Sequence, residues 1–172
     1  MLFTLLFIAG LLIGSFLNVI ALRYEPGKPM LSGRTLGGRS RCRGCAVTLR
    51  WYELVPLFSF IVQGARCRHC SHALAWQYPL VEFSTALLTA CLPIFFFSHF
   101  NIQAALVAGE SLIWFYLFTA IWLLASYTAI TLAAIDLRLK ILPDQGNLLL
   151  CSLGIVLLIF KYLHGELVTY NG

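Results

Sequence analysis

Cys42-Arg43-Gly44-Cys45 and Cys67-Arg68-His69-Cys70 decide how this chain is read. The two thiol pairs stand 21 residues apart in a basic segment. That segment is flanked on both sides by uncharged runs long enough to cross a bilayer. Each pair can place two thiolates on one metal, and four thiolates close a tetrahedral Zn²⁺ site. A loop folding back between the pairs makes a short zinc-ribbon-like lobe. The expected fold class is an all-α polytopic membrane protein with a small cytoplasmic zinc-ribbon-like insertion.

Composition supports the membrane setting. The 172 residues are 60% hydrophobic and 11% charged, whereas a soluble domain carries about 25% charged residues. The net charge of +5 is concentrated: nine of the twelve Lys and Arg lie between Arg23 and Arg68, against Glu25 and Glu53. A basic loop beside membrane spans stays in the cytoplasm by the positive-inside rule. Binding of nucleic acid or anionic lipid is the competing use of such a loop. Topology alone accounts for it, so no nucleic-acid partner is expected. In a reducing compartment the four loop cysteines are expected to hold metal rather than form disulfides. Cys91 and Cys151 lie in apolar runs and are expected to be small core residues.

Three regions follow from the charge pattern. Residues 1–22 carry no charge and are expected to form an uncleaved first transmembrane helix with its N-terminus outside. They have no basic n-region and no A-x-A site ahead of the basic loop. Residues 23–78 form the tetra-Cys lobe. It is too small to bury much apolar surface, so zinc is expected to stabilise it. Its patch around Pro56, Leu54 to Phe60, is expected to touch the membrane surface. Residues 79–172 are expected to hold about three further spans: 79–97, 111–135, and 146–160 with a start as early as Leu142. The 98–110 connector lacks Lys and Arg and is placed outside. The 136–144 connector carries Arg138 and Lys140 and is placed inside. No internal repeat is legible.

Few residues can carry chemistry. Asp136 and Asp144 are the two aspartates, and both fall in the expected inner connector. Asp136 follows the third span, and an ionisable group at the membrane edge is a functional candidate. It could equally end the helix and pair with Arg138 or Lys140. Asp144, after Pro143, reads as an N-cap. Eight residues of helix would part the two by about 12 Å. An aspartyl dyad needs about 3 Å, so these two are not expected to form one. Glu82 either sits at the positive end of the second span or lines a site. Glu110 and Glu166 read as external boundary residues. His69 and His72 flank the last cysteines, but four thiolates already satisfy the metal. Asn18 is expected to hydrogen-bond between helices, with facing an active site as the alternative.

Taken together these pieces resemble the bacterial type IV prepilin peptidases. The resemblance is carried by Gly14-Ser15-Phe16-Leu17-Asn18-Val19-Ile20 ending in Arg23, and by the paired Cys-x-x-Cys motifs. It continues through Val55-Pro56-Leu57-Phe58-Ser59-Phe60, Gly64-Ala65-Arg66-Cys67, Tyr78-Pro79-Leu80-Val81-Glu82, and Ile135-Asp136 with Leu142-Pro143-Asp144. It covers essentially the whole chain, in order. The resemblance implies an intramembrane aspartyl endopeptidase of the bacterial inner membrane, with its lobe and active site on the cytoplasmic side. Its substrates would be type IV prepilins and pseudopilins, whose basic leader it removes. In many members the new N-terminal amine, commonly of Phe, is then methylated with S-adenosylmethionine. It further implies Asp136 as the first catalytic aspartate, and Cys42, Cys45, Cys67 and Cys70 as zinc ligands. One departure stands out. The family's second aspartate lies in a Gly-x-Gly-Asp motif, and no Asp occurs after Asp144. A homodimer pairing two copies of Asp136, or a separate polypeptide, would supply the second carboxylate. The alternative is an inactive relative that binds prepilin or serves assembly in the membrane. No residues are assigned to the methyl donor.

Overall fold

The computed structural model describes residues 1–99 and 113–163. Its helices are α1 (Leu2–Arg23), α2 (Gly33–Leu36), α3 (Phe58–Val62), α4 (Gln77–His99), α5 (Ile113–Leu139) and α6 (Asp144–Leu163). A 3₁₀ turn occupies Trp51–Leu54. Four helices, α1, α4, α5 and α6, are long and apolar enough to cross a membrane. The all-helical membrane architecture with a cysteine-rich insertion is as the sequence implied. Glu110 and Glu166, and most of the expected outer connector and tail, lie outside the described residues.

The helices run past the ends expected from charge alone. Pro93 sits inside α4 without ending it, which membrane helices tolerate because neighbours re-satisfy the freed backbone. The third span extends through Asp136 to Leu139, so Asp136 belongs to a helix and not to a connector. At 27 residues, α5 is about 40 Å long, more than the roughly 30 Å of a hydrocarbon core. Its last turns, with Asp136 and Arg138, can therefore project from the apolar layer. The turn to α6 shrinks to residues 140–143. Lys140 adopts φ 58° and its N–H returns to the Asp136 carbonyl at 2.8 Å, a left-handed helix stop. Asp144 is the first residue of α6, one place later than an N-cap. It still faces the positive end of the helix dipole.

The main pairing is α1 against α4, and α5 packs on both, with α6 beside α5. Gly10 and Gly14 permit the first contact. A Cβ on Gly10 would lie 2.5 Å from Ala86 Cα, and one on Gly14 would lie 2.7 Å from Glu82 Cα. This is the small-xxx-small route to close helix approach in lipid. Thr89 and Tyr127 hydroxyls join α4 to α5 at 2.8 Å. One core cluster gathers Ala21, Tyr24, Val81, Ala134 and Ile135, and a second gathers Phe96, Phe118 and Phe160.

Arg138 fixes which ends meet. Its guanidinium donates to the carbonyls of Ala21 at 3.1 Å and Tyr24 at 2.8 Å, and also to Leu22. A helix C-terminus leaves its last carbonyls unpaired, and here α5 supplies the donors for α1. The C-terminal ends of α1 and α5 and the N-terminal end of α4 thus share one end of the bundle. The cysteine lobe joins α1 to α4, so the lobe and Asp136 lie at the same end.

Cys91 and Cys151 are corrected from core residues to exposed positions on α4 and α6. A membrane helix is apolar on its lipid face as well as its packed face, so hydropathy does not separate the two.

Candidate metal centre and the cleft beside it

Each thiol pair is built by the same local geometry. The Cys42 N–H donates to the Val47 carbonyl at 3.0 Å, and the Ala46 N–H to the Cys42 carbonyl at 3.0 Å. In the second pair the Cys67 N–H donates to His72 at 2.9 Å and the Ser71 N–H to Cys67 at 2.9 Å. Ala46 and Ser71 both take positive φ, 57° and 56°. Single antiparallel bridges, Arg41 with Thr48 and Arg66 with Ala73, close the two turns. Leu49 N–H to Ser40 and Leu74 N–H to Ala65 extend the match. The lobe is thus an internal repeat with an offset of 25 residues, aligning Arg41-Cys42-Arg43 with Arg66-Cys67-Arg68 and Trp51 with Trp76. This corrects the expectation of no repeat. Six of the eleven residues from Arg41 to Trp51 recur at that offset, so the repeat was open to sequence reading and was missed because only the cysteine spacing was compared.

The turns bring the sulfurs of Cys42, Cys45, Cys67 and Cys70 within 4.8 Å of one another. Cys42 Sγ and Cys70 Sγ are 3.7 Å apart. Four ligands at about 2.3 Å from a tetrahedral zinc stand roughly 3.8 Å from each other. The four cysteines fit a metal, and all four are free thiols in the structure. The Cys45 backbone N–H, chiefly, holds the Cys42 thiol down to about 6. Cys70 is pushed up to about 12. The His72 N–H pulls it down, but desolvation and the sulfurs of Cys45, Cys42 and Cys67 outweigh that pull. Sulfurs this close resist ionising together without a cation between them. Neither His69 nor His72 joins the cluster. His72 instead closes the second turn and packs where a Cβ on Gly44 would meet it, at 2.8 Å.

The lobe encloses a cleft of about 790 Å³ against α1 and α4. Glu82, Asn18, Ser15 and Tyr78 line its membrane side, and Arg39, Arg41, Cys42 and His72 its lobe side. Glu82 is buried, inside α4 rather than at its tip. Its Oε2 accepts the Leu57 N–H at 2.8 Å, tying the loop after Pro56 to the bundle. Leu57 holds φ 58° to aim that N–H, the kind of strain that surrounding structure must impose. Ser15 lines the cleft with Glu82. Asn18, 2% exposed, donates from Nδ2 to the Tyr78 carbonyl at 3.1 Å, the interhelical bond expected of it.

Asp136 is half-buried in the last turn of α5. Arg138 is committed to α1, and Lys28–Glu25 is the ion pair found among the described residues. Asp136 therefore does not pair with Arg138 or Lys140 there. Asp144 is exposed beyond the turn, and no hydrogen bond joins the two carboxylates among the described residues. The capping role of Arg138 and the partner of Glu82 were missed at the level of sequence. Both depend on backbone atoms far along the chain.

These features define a multi-pass membrane protein with a four-cysteine lobe set on one end of its helix bundle. Residues 8–96, just over half of the chain, match the family model described as Bacterial Peptidase A24 N-terminal domain. The chain belongs to that family. It is 40% identical over 105 residues to the prepilin leader peptidase/N-methyltransferase of Myxococcus xanthus, covering 60% of this chain and 30% of the relative. With the Pseudomonas aeruginosa protein of the same name it shares 30% identity over 165 residues, 86% of this chain and 51% of the relative. With the type 4 prepilin-like proteins leader peptide-processing enzyme of Escherichia coli it shares 36% over 93 residues, 46% of this chain and 35% of the relative. The chain thus spans about half the length of these curated relatives or less. No solved structure matches it.

Proposed function

We propose that this chain serves prepilin leader processing, as a prepilin-peptidase-type aspartyl endopeptidase of the bacterial inner membrane. The observation that carries the reading is the four-sulfur cluster set beside α1 and α4 within the segment that matches the family. Zinc held by Cys42, Cys45, Cys67 and Cys70 fixes the lobe. The lobe and Asp136 face the cytoplasm, where the basic leader of a type IV prepilin or pseudopilin waits. The exposed apolar side chains of α3, Phe58, Ile61 and Val62, rest on lipid. Asp136 is the first catalytic aspartate. In the reaction one carboxylate takes a proton from water and its protonated partner polarises the scissile amide. The second carboxylate comes from another copy of the chain or from another polypeptide segment. N-methylation of the new N-terminus, with S-adenosylmethionine as donor, belongs to the same reading.

The competing reading is a membrane protein that holds prepilin without cutting it. The mass of a prepilin incubated with membranes containing this chain decides between them. Loss of the leader is expected for the peptidase, and Asp136→Ala should abolish it while leaving zinc content unchanged. Full processing by Asp136→Ala would remove Asp136 from its role. Capture of intact prepilin with no change in mass would establish the second reading.

A further inference from the structure

Asp136 stands in the last turn of α5, which ends at Leu139. That is a poor place to hold a reacting group. The end of a helix lacks the full set of intrahelical bonds found in its interior, and fraying ends open at almost no free-energy cost. Beyond it the chain reverses at Lys140 and enters α6 at Asp144. A contact from outside the helix must hold this turn if Asp136 is to keep one place.

Two contacts with distant segments reach this end of α5. In the first turn of α6, Gln145 Oε1 accepts the Met30 N–H at 2.8 Å, and Met30 packs on the cluster that holds Ile135. This is one neutral bond at the surface. The other contact is Arg138. Its guanidinium donates to Ala21 at 3.1 Å, to Leu22, and to Tyr24 at 2.8 Å, all at the C-terminal end of α1. Bonds from a charged donor are roughly twice as strong as neutral ones, so three of them outweigh the single bond to Gln145. A planar fork with five donors serves several carbonyls at once, whereas an ammonium is a point charge on a flexible stem. Ile135, next to Asp136, is fully buried against Ala21, Tyr24 and Val81. The fork and this core contact therefore act on the same turn. Neither Arg138 nor Asp136 is among the residues lining the cleft under the lobe, and Arg138 forms no ion pair with Asp136 among the described residues.

We propose that Arg138 is a positioning residue for Asp136. By clamping the last turn of α5 to the carbonyl end of α1, it fixes the Asp136 carboxylate relative to the helix that leads into the cysteine lobe. The inference rests on the reading above, in which Asp136 is catalytic. Arg138 touches no substrate in this role and acts through the α5 backbone. A displacement of about 1 Å at a reacting group can cost about a hundredfold in rate. A looser turn therefore shows in the chemical step while substrate binding and the rest of the bundle stay as they were.

The test is prepilin cleavage by the whole zinc-loaded chain in lipid nanodiscs, with kcat and KM resolved and hydrogen exchange followed in the same samples. Arg138→Met keeps an unbranched apolar stem and removes the donors. Its kcat should fall about tenfold or more while KM stays within about twofold. Exchange should rise over residues 134–140, with zinc content and exchange over residues 115–130 unchanged. Arg138→Lys, whose compact ammonium cannot span three carbonyls, should recover only part of kcat. Gln145→Leu, which removes one exposed neutral bond, should lower kcat by less than about threefold. An unchanged kcat in Arg138→Met overturns the proposal. A fallen kcat with unaltered exchange at the end of α5 also overturns it, because Arg138 would then act on the reaction itself. If Arg138→Met does not fold, Arg138→Lys carries the test, and full kcat there overturns the proposal. No cleavage by the unaltered chain sinks the reading on which this role rests, and is seen without any variant. Cleavage that is indifferent to Arg138 sinks this inference alone.

Discussion

Gly44 shows how little room the metal centre leaves at single positions. A Cβ there would stand 2.8 Å from His72 Cβ and 3.1 Å from the Cys70 sulfur. His72 is tied to Cys67 through its carbonyl, so it cannot retreat without loosening the second turn. Overpacking of this kind costs about 1–3 kcal/mol, and here the cost falls on the metal-bound lobe. Gly44→Ala should therefore weaken zinc affinity about tenfold or more, read by competition with a chromophoric chelator. The clustering of the four cysteines was legible, because thiol spacing alone defines a knuckle. Glu82 was legible as an acid near a helix start or lining a site, and it lines the cleft. Its function depends on the backbone N–H of Leu57, 25 residues earlier, and side-chain patterns carry no record of such a bond. Asn18 was legible as an interhelical residue, but that its Oδ1 lacks a hydrogen-bond partner appears only when the partner on Nδ2 is known.

The helices were legible as uncharged runs, and their mates were not. Gly10 and Gly14 sit in a run of apolar residues that hydropathy treats as uniform, yet they set the distance between α1 and α4. Gly14→Leu should force the helices apart at Glu82, costing about 1–3 kcal/mol. The measurement is thermal unfolding in detergent, where a lower midpoint is expected. Leu12→Ala, at an exposed position on the same helix, should leave the midpoint nearly unchanged. An unaltered midpoint in Gly14→Leu would contradict the close approach. The C-terminal end of α5 ran further than its charges suggested, for a reason of the same kind. Asp136 and Arg138 look like the end of a span when read as charges. Arg138 instead finds the unpaired carbonyls of α1, so helix remains favourable for another turn beyond Asp136. A residue that completes a neighbouring helix is invisible to any reading of its own segment.

At the scale of the molecule, two structures of different origin are joined at one end of the bundle. The helices hold one another through close glycine contacts, aromatic packing and the Arg138 cap, none of which involves the cysteines. The lobe has little core of its own: Cys42, Glu53, Phe60 and Cys67 are among its few buried residues, and Trp51 and Trp76 are largely exposed. On the proposed reading, with zinc on the four sulfurs, a lobe of this size depends on that metal, because binding free energy at a site absent from the unfolded chain is folding free energy. Stripping zinc with a strong chelator should therefore melt the lobe and spare the bundle. Hydrogen exchange should rise across residues 40–75, while the middle of α1, α4 and α5 keeps its protection and far-ultraviolet circular dichroism falls only slightly. Zinc should restore protection, and less readily as pH falls, since protons compete for the thiolates the metal needs. Loss of protection in α1 and α4 together with the lobe would mean that the metal also holds the bundle. The tie from Leu57 to Glu82 would then be one route, and the bond from the Arg43 guanidinium to the Leu22 carbonyl of α1 another. A Glu82→Gln variant keeps an acceptor at that place, so it should show the same separation of lobe from bundle. Glu82→Ala, which removes the acceptor, should loosen residues 54–60 even with zinc bound.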